Sequence, residues 1–273
     1  MGGKLVQHIM MRLIFVACLF HGVLPLSAME EFDSRAYHIV TDLDLKEARE
    51  LGQMMDAYHV FLCQTFGFDS AVEQRMQLRI YGSKPRFTAY LTERKGKPPR
   101  SKVAGTYFYG GERAGELVVH WNGRYKGIFF HEGFHQFAHR CWPKIGHWPN
   151  WFNEGIASFL ETCQQKGGRI GHRGDLRHDY PGKAAEFYRK NPDFRLADFM
   201  AKRRNWNKSG YDYAIAATLI ATLLDQRNAR VRQATQAFFR DLREHQDYDQ
   251  AVASFSELLP PEHIEAHLRK TYK

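Results

Sequence analysis

The chain is predicted to be an α+β protein with its few strands early and its helices late. Three observations carry this. MQLRIY, residues 76 to 81, alternates apolar and polar residues as a strand does, and a second pair of such segments lies before residue 122. After residue 124 the apolar residues recur at helical spacing instead. The chain has 273 residues, 44% hydrophobic and 25% charged, an ordinary balance with ample length for one sizeable core.

Residues 1 to 28 read as an export signal: Lys4 and Arg12 precede an apolar run from Leu13 to Leu26, and Ser27 and Ala28 offer a small-residue cleavage site. A start at Met10 or Met11 would shorten the positive region. The competing reading, a membrane anchor, needs a longer run without Pro25. No later segment resembles a membrane span, so no stable membrane insertion is expected after cleavage. Residues 29 to 273 read as one domain, exported to the periplasm or outside the cell.

Within it, Tyr37 to Val40 forms a short strand. Asp44 opens a helix whose apolar positions Leu45, Ala48, Leu51, Met55, Tyr58 and Leu62 share a face, and Gly67 stops it. Pro85 to Leu91 is a short helix and residues 93 to 102 a charged loop. Val103 to Tyr109 and Glu116 to Trp121 are strands around Gly110 and Gly111. Arg124 to Arg140 is a helix. Asn150 caps the next, which runs to about Gln165. A polar, glycine-rich stretch spans Lys166 to Pro181. Tyr211 to Asp225 is a strongly apolar helix, Val231 to His245 an amphipathic one, and two short helices close the chain around Pro260 and Pro261.

Two segments carry chemistry. Residues 131 to 135 read HEGFH. On a helix, positions i and i+4 lie about 40° apart, so His131 and His135 project from one face. Glu132 sits beside them, close enough to reach a water on a metal but badly placed to chelate with them. Residues 149 to 158 read PNWFNEGIAS, and Glu154 stands 19 positions after His135 between Phe152 and Ile156. A carboxylate among such neighbours needs a partner, and a metal supplies one. Two imidazoles and one carboxylate make a catalytic zinc set with a fourth position open. The bland alternatives are solvated surface histidines and a glutamate on the polar stripe of its helix, as Glu161 is read.

HEGFH followed by NEGIASFLE at this spacing resembles the gluzincin metallopeptidases, which include thermolysin-like enzymes and the aminopeptidase N group. WFNEGIASFLE is especially similar to the glutamate helix of the latter. The mature chain also resembles bacterial exported proteins with a peptidase MA-like domain. HIVTDLDLKEARELGQMMDAYHVFL, MQLRIY, the two metal segments and YAIAATLIATLL follow that pattern in order. The resemblance implies a zincin-like fold and one zinc ion per chain on His131, His135 and Glu154. It implies a zinc-dependent hydrolase, a metallo-endopeptidase acting on peptide or protein substrates with Glu132 as general base. The alternative is a non-catalytic zincin-like binding module of the cell envelope, in which Glu132 would have no use.

The departures are specific. No GAMEN-like segment is present, so recognition of a free amino terminus is not expected. Ser158 stands where thermolysin-like enzymes carry an acid four residues after the ligand. His139, four after His135, lacks the spacing of a third histidine ligand and reads as a helix-end or supporting residue. For the oxyanion donor, SGYDYAIAATLIATLLD offers Tyr211 and Tyr213. The resemblance aligns Tyr213 with the family's tyrosine, while both could simply pack.

GELVVHW, residues 115 to 121, reads as the sheet edge above the site or as an ordinary core strand. The formal charge of +9 suits acidic substrates, anionic envelope surfaces or nucleic acid without choosing among them. KRRNWNK, residues 202 to 208, reads as a solvated basic loop, and no nucleic-acid partner is expected. Cys63, Cys141 and Cys163 have no metal-type spacing. Cys141 and Cys163 could bridge after export, or all three could be free thiols.

Overall fold

The computed structural model describes residues 29–109, 115–172, 174–201, 210–225 and 227–273. The expected signal, the Gly110–Gly111 turn and the KRRNWNK segment lie outside the described residues.

A five-stranded mixed sheet opens the fold. It comprises β1 (Glu30–Asp33), β2 (Tyr37–Thr41), β3 (Met76–Tyr81), β4 (Gly105–Tyr107) and β5 (Glu116–His120), in the order β1-β2-β3-β5-β4. The pairs β2–β3 and β3–β5 are parallel, and the outer pairs β1–β2 and β4–β5 antiparallel. Alternation along the strands separates two apolar faces. Leu78, Ile80, Leu117 and Val119 join the main core beneath α1 (Leu45–Phe66) and α3 (Gly127–Cys141). Tyr81 and Val118 face the other way, onto Phe87, Tyr90 and Leu91 of α2 (Lys84–Lys95).

Local chemistry sets the ends of these helices. Asp44 caps α1 by accepting from the amides of Lys46 and Glu47. Gly67 ends it at φ 76°, a left-handed conformation that costs glycine little. Helix α3 starts at Gly127, later than expected. Asn122 accepts from the Arg124 amide at 3.1 Å and Gly123 has φ 76°, so residues 122 to 126 form a turn instead.

The later half is helical: α4 (Asn150–Leu160), α5 (Asp179–Lys190), α6 (Leu196–Ala201), α7 (Gly210–Leu223), α8 (Ala229–His245), α9 (Tyr248–Leu258) and α10 (Pro261–Thr271). Two expectations change here. Asn150 is the first residue of α4 rather than its cap. The helix ends at Leu160, short of Gln165, where the Thr162 hydroxyl bonds the Phe159 carbonyl. A hairpin of β6 (Gln164–Lys166) and β7 (Arg169–Gly171) follows, turned by Gly167 and Gly168 with positive φ. Of the two readings of GELVVHW the structure takes the core strand: β5 runs between β3 and β4, and β4 is the edge strand.

Helix α7 buries residues all round, from Ala214 to Leu223, because α4, α5 and α8 surround it. Its approach to α4 is close. A Cβ on Gly155 would stand 3.0 Å from both the Cβ and the carbonyl oxygen of Ala216. Among the described residues no helix is long and apolar enough to cross a membrane. Cys63, Cys141 and Cys163 are free thiols.

Candidate metal centre

Helices α3 and α4 pack together and bring three donors to one point. Phe129, Phe130, Phe134 and Phe137 anchor α3 in the core, which leaves His131, Glu132 and His135 on its other side. Trp151, Phe152 and Ile156 anchor α4 and present Glu154. Glu154 Oε2 lies 3.6 Å from His131 Nε2 and 3.7 Å from His135 Nε2. One donor atom from each of the three residues lies within 4.8 Å of the others. Four-coordinate zinc with bonds of about 2.0–2.1 Å holds its donors roughly 3.3 Å apart, so the trio needs only small adjustments to close on the ion.

Each imidazole is fixed from behind. His131 Nδ1 lies 2.8 Å from Glu161 Oε1, and His135 Nδ1 lies 2.9 Å from Asn153 Oδ1. With an acceptor behind each Nδ1, a neutral ring keeps its proton there and turns its Nε2 lone pair to the shared point. Glu161 is itself held: the Tyr125 hydroxyl donates to its Oε2 at 3.1 Å, and Arg177 Nη1 lies 3.8 Å away. The acid absent at Ser158 is thus supplied by Glu161, just past the end of the helix. Burial opposes protonation of His131, but hydrogen bonds to Glu154 and Glu161 outweigh it and push its pKa up to about 10. An ion placed there would take over the role of that proton.

Glu132 is oriented by the edge strand. The Tyr107 amide donates to Glu132 Oε2 at 3.0 Å. Gly105 makes this approach possible, because a Cβ there would come 2.7 Å from Ile128 Cγ1 and 3.1 Å from Glu132 Cγ. His139 stands outside the donor trio, with its Nδ1 3.0 Å from the Tyr107 hydroxyl.

The two tyrosines of α7 diverge. Tyr213 bonds Glu154, and burial, followed by the Glu154 charge, raises its pKa and keeps the hydroxyl protonated. Tyr211 instead packs on Phe187, ring centroids 6.2 Å apart, and bonds Glu186. A third tyrosine, for which the sequence reading has no role, stands beside His135. Tyr109, just beyond β4, has its ring centroid 6.4 Å from that of His135, and its hydroxyl lies 3.4 Å from Asn153 Nδ2. Although 45% of the residue is exposed, desolvation at its hydroxyl, offset in part by the Asn153 hydrogen bond, raises its pKa as well.

Comparison with known proteins gives a coarse likeness. No family profile matches the chain, so the expected peptidase MA-like membership finds no support there. No curated protein matches either. Among solved structures the chain is similar to a point mutant of an M1 zinc metallopeptidase from Deinococcus radiodurans, with a TM-score of 0.43 and 14% identity. The match covers 90% of this chain and 51% of that one, so the chain spans about half the length of that enzyme.

Proposed function

We propose that this chain is a zinc-dependent hydrolase, a metallo-endopeptidase of the gluzincin kind. The observation that carries the proposal is the convergence of His131, His135 and Glu154 beside a carboxylate held ready on the next residue of α3. Zinc there would polarise the scissile carbonyl and make a water molecule more acidic. Glu132 is the general base: with Oε2 held by the Tyr107 amide, its other oxygen is left to take the water proton and return it to the leaving nitrogen. Tyr213 is the donor to the oxyanion that forms as water adds. An extended peptide would lie along β4, the edge strand beside Glu132. Internal cleavage fits the absence of a GAMEN-like segment. A purely structural metal site would have no need of an oriented Glu132, which weighs against the binding-module alternative. Export belongs to the same proposal, on the basic start and apolar run of residues 1 to 28. Amino-terminal sequencing from the native host should find the mature chain beginning near Met29.

Metal analysis and turnover of a peptide library test the centre. The wild type should hold one zinc and His135→Ala none. Glu132→Gln should keep zinc and lose hydrolysis, because the amide is nearly isosteric but cannot take the proton. Equal zinc in wild type and His135→Ala, or equal turnover by an active wild type and Glu132→Gln, would refute the assignment.

A further inference from the structure

Tyr109 closes a chain of hydrogen bonds that starts at the metal-facing His135, and the direction of each bond can be worked out. This inference rests on the hydrolase reading above, in taking His135 as a ligand and a peptide as the substrate. A ligating Nε2 must be free of its proton, so the neutral ring carries the proton on Nδ1. That N–H donates to Asn153 Oδ1, 2.9 Å away. The bond fixes which end of the Asn153 amide is which, and Nδ2 must then be a donor. Nδ2 lies 3.4 Å from the Tyr109 hydroxyl oxygen, which therefore accepts. The tyrosine's own proton remains available for another acceptor, and no other hydrogen bond of this hydroxyl is found among the described residues.

The place of that proton gives it a use. Tyr109 follows the edge strand β4, whose Tyr107 amide orients Glu132. Its ring stacks edge-on to His139, 5.6 Å away at 88°, and lies 6.4 Å from the His135 ring, so it stands beside the ligand face of α3. Tyr213 approaches Glu154 from α7. Thus Tyr109, just beyond β4, stands beside His135, and Tyr213, on α7, beside Glu154.

We propose that Tyr109 is a substrate-contacting hydrogen-bond donor, binding a peptide carbonyl oxygen or the oxyanion derived from it at the metal centre, with Asn153 as the positioning residue that keeps the hydroxyl free to donate. The ligand class is a peptide in extended conformation along β4.

The probe is a phosphinic peptide, whose anionic tetrahedral group replaces the scissile carbonyl, measured by calorimetry on zinc-loaded protein. Tyr109→Phe retains the ring contacts and so the fold. It should weaken phosphinic-peptide binding by about 10- to 100-fold, the range for a lost hydrogen bond to a charged group. Zinc affinity, read by chelator competition, should stay within about twofold. Asn153→Asp still accepts from His135 but now also accepts from Tyr109, drawing the proton away. It should reproduce the loss, and the double variant should lose no more than either single one. Unchanged binding in Tyr109→Phe overturns the donor role while leaving an active zinc enzyme intact. A parallel loss of zinc affinity overturns it too, since Tyr109 would then act only by supporting His135. A wild type that takes up no zinc sinks the hydrolase reading, and the donor role falls with it.

Discussion

At Tyr213 the ring and the hydroxyl do separable work. The ring packs with Tyr180, Ala214 and Ala217, while the hydroxyl reaches Glu154. Tyr213→Phe should therefore keep fold and zinc and lower kcat by about 10²- to 10³-fold, the effect of removing one oxyanion donor. KM should change little, because the ground-state carbonyl carries no such charge. Tyr211→Phe should stay within a few-fold, since that side chain belongs to Glu186 and Phe187. Steady-state kinetics on both variants checks this, and a comparable kcat in Tyr213→Phe would return the residue to packing alone. The legibility of such residues depended on sequence distance. His131, His135 and Glu132 share one helical turn, so their geometry follows from periodicity. Glu161 follows Glu154 by seven positions, two helical turns, and that spacing was a usable signal for a second acid on the same face. Tyr109 gave none: it meets Asn153 from just beyond β4, 44 positions earlier.

At the scale of elements, β4 and α3 are held together by what Gly105 lacks. Gly105→Ala would put a methyl 2.7 Å from Ile128 Cγ1 and 3.1 Å from Glu132 Cγ. The strand must move outward, which should cost about 1–3 kcal/mol of stability by denaturant unfolding. It should also lower kcat more than zinc content, because the displaced Tyr107 amide no longer holds Glu132. Unchanged kcat at reduced stability would show that β4 does not orient the base. The sequence leaves the edge strand open because β4 and β5 both alternate, and the choice between them depends on which one β3 pairs with. The β6–β7 hairpin escaped notice for another reason. Its residues are polar and nearly all exposed, so no apolar periodicity marks it, although Gly167–Gly168 is a turn signal. The apolar helix α7 was legible because tertiary burial and local hydrophobicity agree along its length.

Across the whole molecule, the early sheet and late helices were readable as an α+β pattern, whereas α5 and α6 were not assigned. Helix α5 has only Tyr180, Ala184 and Tyr188 buried, three small patches of apolar signal in a charged segment. The three candidate donors join the two halves of this plan: His131 and His135 come from the helix beneath the sheet, and Glu154 from the helix packed on α7. An ion bound there should therefore stabilise the fold as a unit. Zinc at 100 times its dissociation constant adds about 2.7 kcal/mol, provided the unfolded chain does not bind it. At roughly 2–4 °C per kcal/mol for a domain of this size, Tm should rise by about 5–11 °C. His135→Ala should show no such rise. The gain should also depend on pH with a definite sign. In the metal-free protein His131 has its pKa raised from 6.5 to about 10. The stability this proton confers is fully present below about pH 6.5 and is lost as pH rises through about 10. Zinc must displace the same proton, so its affinity should strengthen by up to about tenfold per pH unit between those limits. Thermal scans at fixed free zinc, at pH 6.5 and pH 8.5, should show the larger shift at the higher pH; a shift that shrinks with pH would mean that zinc does not compete for His131.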